Sequence, residues 1–378
     1  MDLSEQFDLI RPFYDHEVKP AIERLLNHPG FAGVLKYLFE GADSEELTNH
    51  LRRIESVDQF QEFFSYHTVK TIVGKTSAGL TQSGSEGLDP GKPYLFVANH
   101  RDIVLDAAIM QYLLHMKGYK TSQITFSENL MTEQLLLDLG KLNKMFTFYR
   151  GGSKITQYRN AMINSAYINY VLKEQKESIW IAQRNGRTKD GDDRTQTGLI
   201  KMLAMGSEQT CDSLAGLNIV PVSISYEVEP CDIQKVRELY MDRREKYVKS
   251  PNEDLMSILA GITGEKGRIH FTFGTPLNDH LLKLKSEHHH DNEVIEKIAR
   301  EIDRQIHQGY KLWPNNYIAA DIIEKGNRYI QNYTESEKVK FMETMGAKIS
   351  TLKGMDREEL RIIYLHIYAN PVFNYKAA

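Results

Sequence analysis

Six short apolar runs, spaced by longer stretches of helical pattern, narrow the architectures open to this chain. They cover residues 94–98, 123–126, 146–149, 178–182, 218–226 and 268–273. Each has the length of a buried strand and is too short for a typical helix. Between them, 104–116, 132–144 and 155–175 carry apolar residues at helical spacing. Strands alternating with helices argue for an α/β class, with a mostly parallel central sheet flanked by helices.

The flanks read differently. Residues 1–74 form an N-terminal helical region in which Phe31, Val34, Leu35, Leu38 and Phe39 recur at helix spacing. Residues 75–92 are polar, with Gly79, Gly84, Gly87 and Asp89-Pro90-Gly91, and are expected to be a linker. The α/β domain is then 93–290, and 291–378 is a C-terminal helical region in which Val294, Ile295, Ile298, Ile302 and Ile306 share a face. Near the end, Leu360, Ile363, Tyr364, Ile367 and Tyr368 form another apolar stripe. It would dock on lipid or pack internally, and the lack of a dense basic face favours packing.

Composition excludes several classes. At 41% hydrophobic residues the chain can bury a sizeable core, which excludes disorder as its main state. A net charge of −4 leaves no basic footprint, so nucleic acid is not an expected partner. Cys211 and Cys231 are too few for a disulfide framework or a Cys-based metal site. The triplet His288-His289-His290 sits among acids and reads as a solvated loop, so no metal is expected. The longest uncharged stretch, 213–226, falls short of the roughly 20 apolar residues of a spanning helix. The start, Met1-Asp2-Leu3-Ser4-Glu5, lacks a basic-then-apolar leader, so a cytoplasmic location is expected. Neither Gly-x-Gly-x-x-Gly nor the phosphate-loop pattern of nucleotide enzymes occurs.

Ligands of open α/β sheets bind beyond the carboxyl ends of the strands. The first run exits into Asn99-His100-Arg101-Asp102-Ile103-Val104-Leu105-Asp106. A His with Asp102 and Asp106 nearby suits a base and its orienting acid, because a carboxylate on one ring nitrogen readies the other to take a hydroxyl proton. The same residues also suit a helix cap and a surface His. The third run exits into Tyr149-Arg150-Gly151-Gly152-Ser153-Lys154 at a helix start, a pattern suited to an anion. The fourth exits into Gln183-Arg184-Asn185-Gly186-Arg187-Thr188-Lys189, where Arg forks suit phosphate, although Asp190, Asp192 and Asp193 offset the charge. The fifth contains Pro221, a sign of a strand start or a bulge.

In order and content these four segments resemble the blocks of the glycerolipid acyltransferase superfamily, which includes the glycerol-3-phosphate and 1-acylglycerol-3-phosphate acyltransferases. Asn99-His100 with Leu105-Asp106 matches block one, 146–150 block two, Gly186-Arg187-Thr188-Lys189 block three and Ile219-Val220-Pro221-Val222 block four. The likeness spans about residues 94–277. Two positions depart from the pattern. His100 and Asp106 enclose five residues rather than four, which leaves Asp102 as an alternative orienting acid. The Glu that usually precedes the block-three Gly is replaced by Arg184 or Asn185, depending on alignment.

The resemblance implies transfer of a fatty acyl group from a thioester, acyl-CoA or acyl carrier protein, to a hydroxyl of glycerol-3-phosphate or 1-acylglycerol-3-phosphate. No cofactor is implied beyond that co-substrate. His100 would be the general base and Asp106 its orienting acid, with Arg150, Gly186, Arg187 and Lys189 at the acceptor phosphate. Association would be peripheral, at the inner face of a membrane. Leu135, Leu136 and Leu139 would line an acyl groove, though Leu at helical spacing is more often plain core. The alternatives are a lyso-aminolipid acceptor, for which the missing Glu leaves room, and an inactive lipid- or phosphate-binding module, supported by the unusual spacing alone.

Overall fold

The computed structural model describes residues 3–128, 133–206, 209–245, 247–248, 250, 252–287 and 289–378. All six apolar runs form strands: β2 (Leu95–Ala98), β3 (Gln123–Ser127), β4 (Met145–Phe148), β5 (Ile179–Ala182), β6 (Ile219–Tyr226) and β7 (Gly267–Phe273). A seventh, β1 (Ser77–Ser83), precedes them, and the order across the sheet is β1-β7-β6-β2-β5-β3-β4. Every pairing is parallel except β6 with β7. The architecture is α/β, with helices on both faces.

β1 corrects the expected linker. Ser77–Ser83 has few apolar residues because it is a half-exposed edge strand, and edge strands need no apolar alternation. Its hydroxyls carry part of the pairing instead: Thr81 Oγ1 and Ser83 Oγ lie 2.7 and 3.1 Å from the two ring nitrogens of His270 on β7.

The central strands read as continuous apolar runs because both faces are covered. Leu95 and Val97 of β2, with Ile179 and Ile181 of β5, enter one core, and Phe96, Ala98, Trp180 and Ala182 enter the other. Pro221 lies one residue before the β6–β7 pairing begins, and its carbonyl accepts from Gly274 N at 2.8 Å. Its missing N–H therefore removes no bond from that ladder.

The helices begin close to where periodicity places them: Leu105–Met116, Gln134–Leu142 and Lys154–Tyr170, the last running on into the π-helical Val171–Gln175. Thr132, at the expected start of the second, lies outside the described residues, as does His288 of the His triplet. His289 is held between Glu287 and Glu293, and among the described residues no group of three or more His, Cys, Asp or Glu is arranged to hold a metal.

A third core joins the C-terminal helices Pro314–Glu324, Glu335–Ser350 and Arg357–Ala377 to Asp232–Asp242. The stripe Leu360, Ile363, Tyr364, Ile367 and Tyr368 is buried in it, so this face packs internally and does not meet lipid. No helix among the described residues is long and apolar enough to cross a membrane.

Candidate active site

β2, β3, β4, β5 and β6 run in one direction, so their exits share one edge of the sheet. At the β2 exit the Asn99 side chain extends the pairing, accepting from Ile224 N at 2.7 Å and donating to Ile224 O at 3.0 Å. The chain then turns into Leu105–Met116. Asp102 Oδ1 closes that turn, accepting from Val104 N (3.0 Å) and Leu105 N (2.9 Å), as Asp does at helix starts.

Asp106, in the first turn of the helix, is fully buried and gathers four donors. Its Oδ2 accepts from His100 Nδ1 (2.9 Å), Arg101 N (2.6 Å) and Asp102 N (2.9 Å). Its Oδ1 accepts from Tyr226 OH (2.8 Å). Burial and the neighbouring Asp106 push the Tyr226 phenol well above its ordinary value, so it stays a donor. The five-residue interval is absorbed in the turn, where the Asp102 N–H still reaches Asp106. Asp102 is therefore a cap and not the partner of the imidazole, which corrects the alternative assignment. Burial, then Asp106, raise the Asp102 carboxyl above its ordinary range.

The His100 side chain is 13% exposed, and its ring stands edge-on to Trp180 with centroids 5.5 Å apart. Among the described residues Nε2 has no hydrogen-bond partner. With Nδ1 donating to Asp106, Nε2 carries the lone pair and can accept a proton.

The loop after β5 is strapped to this turn: Gln183 N donates to Ala98 O and Thr188 N to His100 O, both at 2.8 Å. Gly186 takes the left-handed φ of +72° that the bend requires. Arg187 follows, with Nη1 buried and unpartnered among the described residues, and its charge acts on both Asp102 and Cys231. Arg150 lies over the Phe148 ring and donates to the Asn185 side chain, so the β4 and β5 exits meet. Lys189 departs from expectation. It is ion-paired with Glu238 on Asp232–Asp242, and that pairing takes up its charge.

Residues 79–225 match the family model described as Acyltransferase. Among solved structures, the 1-acyl-sn-glycerophosphate (LPA) acyltransferase PlsC from Thermotoga maritima is similar at 11% identity and a TM-score of 0.34. The match covers 79% of this chain and 98% of that one, and at such a score it carries no argument. No curated protein matches.

Beside these turns lies a cavity of about 580 Å³. Ala108 of the helix bearing Asp106 and Val104 just before it line the cavity, together with Leu135, Leu136 and Leu139. The three leucines thus face a void and are not plain core. Gly33 and Val34 of Pro29–Leu38 and Leu255 and Leu259 of Glu253–Thr263 also line it. Leu255 and Leu259 are also exposed, so the cavity reaches the surface beside that helix.

No sequence motif marks Tyr226, Glu229, Lys235 or Tyr310, and Asp193 reads from the sequence only as a charge offsetting the loop cations; Asp193, Glu229, Lys235 and Tyr310 form a buried polar set behind the His100 loop. A signal existed only for Tyr226, a polar tip at the end of an apolar strand.

Proposed function

We propose that the protein moves a fatty acyl group from a thioester, acyl-CoA or acyl carrier protein, to a hydroxyl of glycerol-3-phosphate or 1-acylglycerol-3-phosphate. The observation that carries this reading is the His100–Asp106 pair, with Nε2 unpartnered among the described residues. Arg187 and the apolar cavity support it. Nε2 takes the proton of the acceptor hydroxyl as its oxygen attacks the thioester carbonyl. The C–O bond forms, the C–S bond breaks, and the thiolate leaves with the proton from the imidazolium. Asp106 holds the tautomer and stabilises the imidazolium without taking the proton. Such base catalysis contributes about 10²–10⁴ in rate.

The unpartnered Arg187 Nη1, with Arg150 across the loop, is suited to the acceptor phosphate. The cavity is suited to the acyl chain. Its mouth lies beside exposed Leu255, Met256 and Leu259, which supports peripheral docking on a membrane surface. A lyso-aminolipid acceptor is the second reading, because Arg184 or Asn185 stands in the loop where a carboxylate is usual. The direct His100–Asp106 bond removes the spacing argument for an inactive module.

Mass spectrometry of products, with both donor types and mixed lyso-acceptors, tests the reading. His100→Ala should stay folded and lose turnover by about 10²-fold or more. Retained turnover would sink the assignment. Arg187→Ala should raise the acceptor KM while the donor KM holds, and an unchanged acceptor KM removes Arg187 from the phosphate site.

A further inference from the structure

His100 sits between two buried side chains, Asn99 and Arg101. Behind the loop, Arg101 donates to Asp193 Oδ2 at 2.6 Å and to Glu229 Oε2 at 3.4 Å. Lys235 completes the set. Its Nζ donates to Glu229 Oε1 at 2.5 Å and to the Arg101 carbonyl oxygen at 2.8 Å. Asn99 Nδ2 (3.0 Å) and Tyr310 OH (2.5 Å) also donate to Asp193 Oδ2. Burial, the largest influence, opposes charge on Asp193, but Arg101 and the hydrogen-bond donors around the carboxyl together hold it below its ordinary range. Two basic side chains, Arg101 and Lys235, thus meet two buried carboxyl groups, Asp193 and Glu229.

Taking four such groups out of water is expensive, and a well-packed apolar set would serve stability as well or better. Its position indicates what it does. Lys235 is 1% exposed and grips main chain, at the carbonyl of the residue that follows His100. The Arg101 N–H is bound to Asp106 Oδ2, the same oxygen that accepts from the imidazole. The peptide groups on both sides of Arg101 are thus pinned, one to Asp106 and one to Lys235. The helix bearing Lys235 is itself tied to the C-terminal helix, where Tyr364 and Tyr368 hydroxyls donate to Asp232 Oδ2 at 3.0 and 2.9 Å. Glu229, Lys235, Tyr310 and Tyr368 all lie outside the matched residues 79–225.

We propose that Lys235 is a positioning residue for His100: by holding the Arg101 carbonyl it keeps the imidazole seated on Asp106. This rests on the reading of His100 as general base. Lys235→Met alone would leave the buried Glu229 with only its 3.4 Å contact to Arg101, so the test uses two milder variants of the full chain. Lys235→Met with Glu229→Gln removes both charges together. Lys235→Arg keeps the charge, but its planar fork cannot reproduce a single ammonium donor aimed at one carbonyl.

In the double variant kcat should fall about 10- to 100-fold with both KM values little changed, the signature of a misplaced group and not of lost binding. Lys235→Arg should fall less. The titration of the His100 ring, assigned among the 13 His by comparison with His100→Ala, should shift in both. Parental kcat and an unmoved His100 titration in the double variant overturn the proposal. If the double variant does not fold, the same parental pair of results in Lys235→Arg overturns it. The ring titration needs no turnover. A His100→Ala variant that still turns over would thus sink the base assignment and leave the effect of Lys235 on the ring separately readable.

Discussion

Two carboxylates four residues apart do different work here, and the difference is one of contacts. Asp102 spends Oδ1 on the start of a helix, while Asp106 gathers His100, two backbone N–H groups and the Tyr226 hydroxyl. Asp106→Ala should therefore lower kcat by about 10²-fold or more, because the imidazole loses both its tautomer and its counter-charge. Asp102→Asn should retain near-parental turnover, since Asn caps a helix as well as Asp. Its stability has a definite sign. A carboxyl raised in the folded state holds a proton that the unfolded chain releases, so the native protein loses stability as pH climbs from the ordinary carboxylate value to the raised one. At pH 7 Asp102→Asn should unfold no earlier than the parent. That advantage should shrink as the pH falls towards the ordinary value of 3.8, which melting curves at several pH values would reveal. The sequence marked both acids but could not rank them, because the ranking depends on how a five-residue turn folds back.

At the scale of helices and strands, the cavity shows how apolar faces were sorted. Pro29–Leu38, Tyr66–Thr76, Leu105–Met116, Gln134–Leu142 and Glu253–Thr263 each turn apolar residues to it. The π-helical segment Gln61–Ser65 adds Gln61, Phe64 and Ser65, and such irregular turns recur at functional sites. Periodicity found the faces of these helices. It could not distinguish a face packed against side chains from one bordering a void, since Leu135 and Leu139 carry the same spacing in either case. Gly33 borders the void, and a Cβ built there meets nothing within 4 Å. Gly33→Phe should therefore fold and shorten the cavity. Donors with the longest chains should lose about tenfold in kcat/KM relative to short ones, as a pocket that rejects one or two methylenes would produce. A chain-length series of acyl thioesters measures this, and an unchanged profile would show that the acyl chain lies elsewhere.

Across the molecule, three apolar cores surround a sheet whose exits hold the polar chemistry, and one buried cation reports on the whole fold. Lys266 donates to Thr76 Oγ1 (2.8 Å) and Gly264 O (2.7 Å), between the N-terminal helices and β7. Burial pulls it down to about 8, with Asp102 and Cys231 only partly restoring it. Between about 8 and its ordinary value of 10.5 the unfolded chain binds the proton and the folded chain does not, so folding gains stability as pH rises through that window. Relative to Lys266→Met, which cannot titrate, the parent should become more stable over that range in denaturant titrations at stepped pH. A flat difference would show that the ammonium is already well solvated. The α/β class, six strands and the four blocks were readable from the chain alone, because a strand buried on both faces must be apolar along its length and exits to chemistry follow it directly. The edge strand was not, because half-exposed pairing leaves no apolar imprint. Nor were Lys189's pairing with Glu238, the void behind the leucines, or the grip of Lys235 on the His100 loop. Each depends on groups far apart in sequence being brought to within a few ångströms, and no local pattern encodes which distant charge or empty space a side chain will meet.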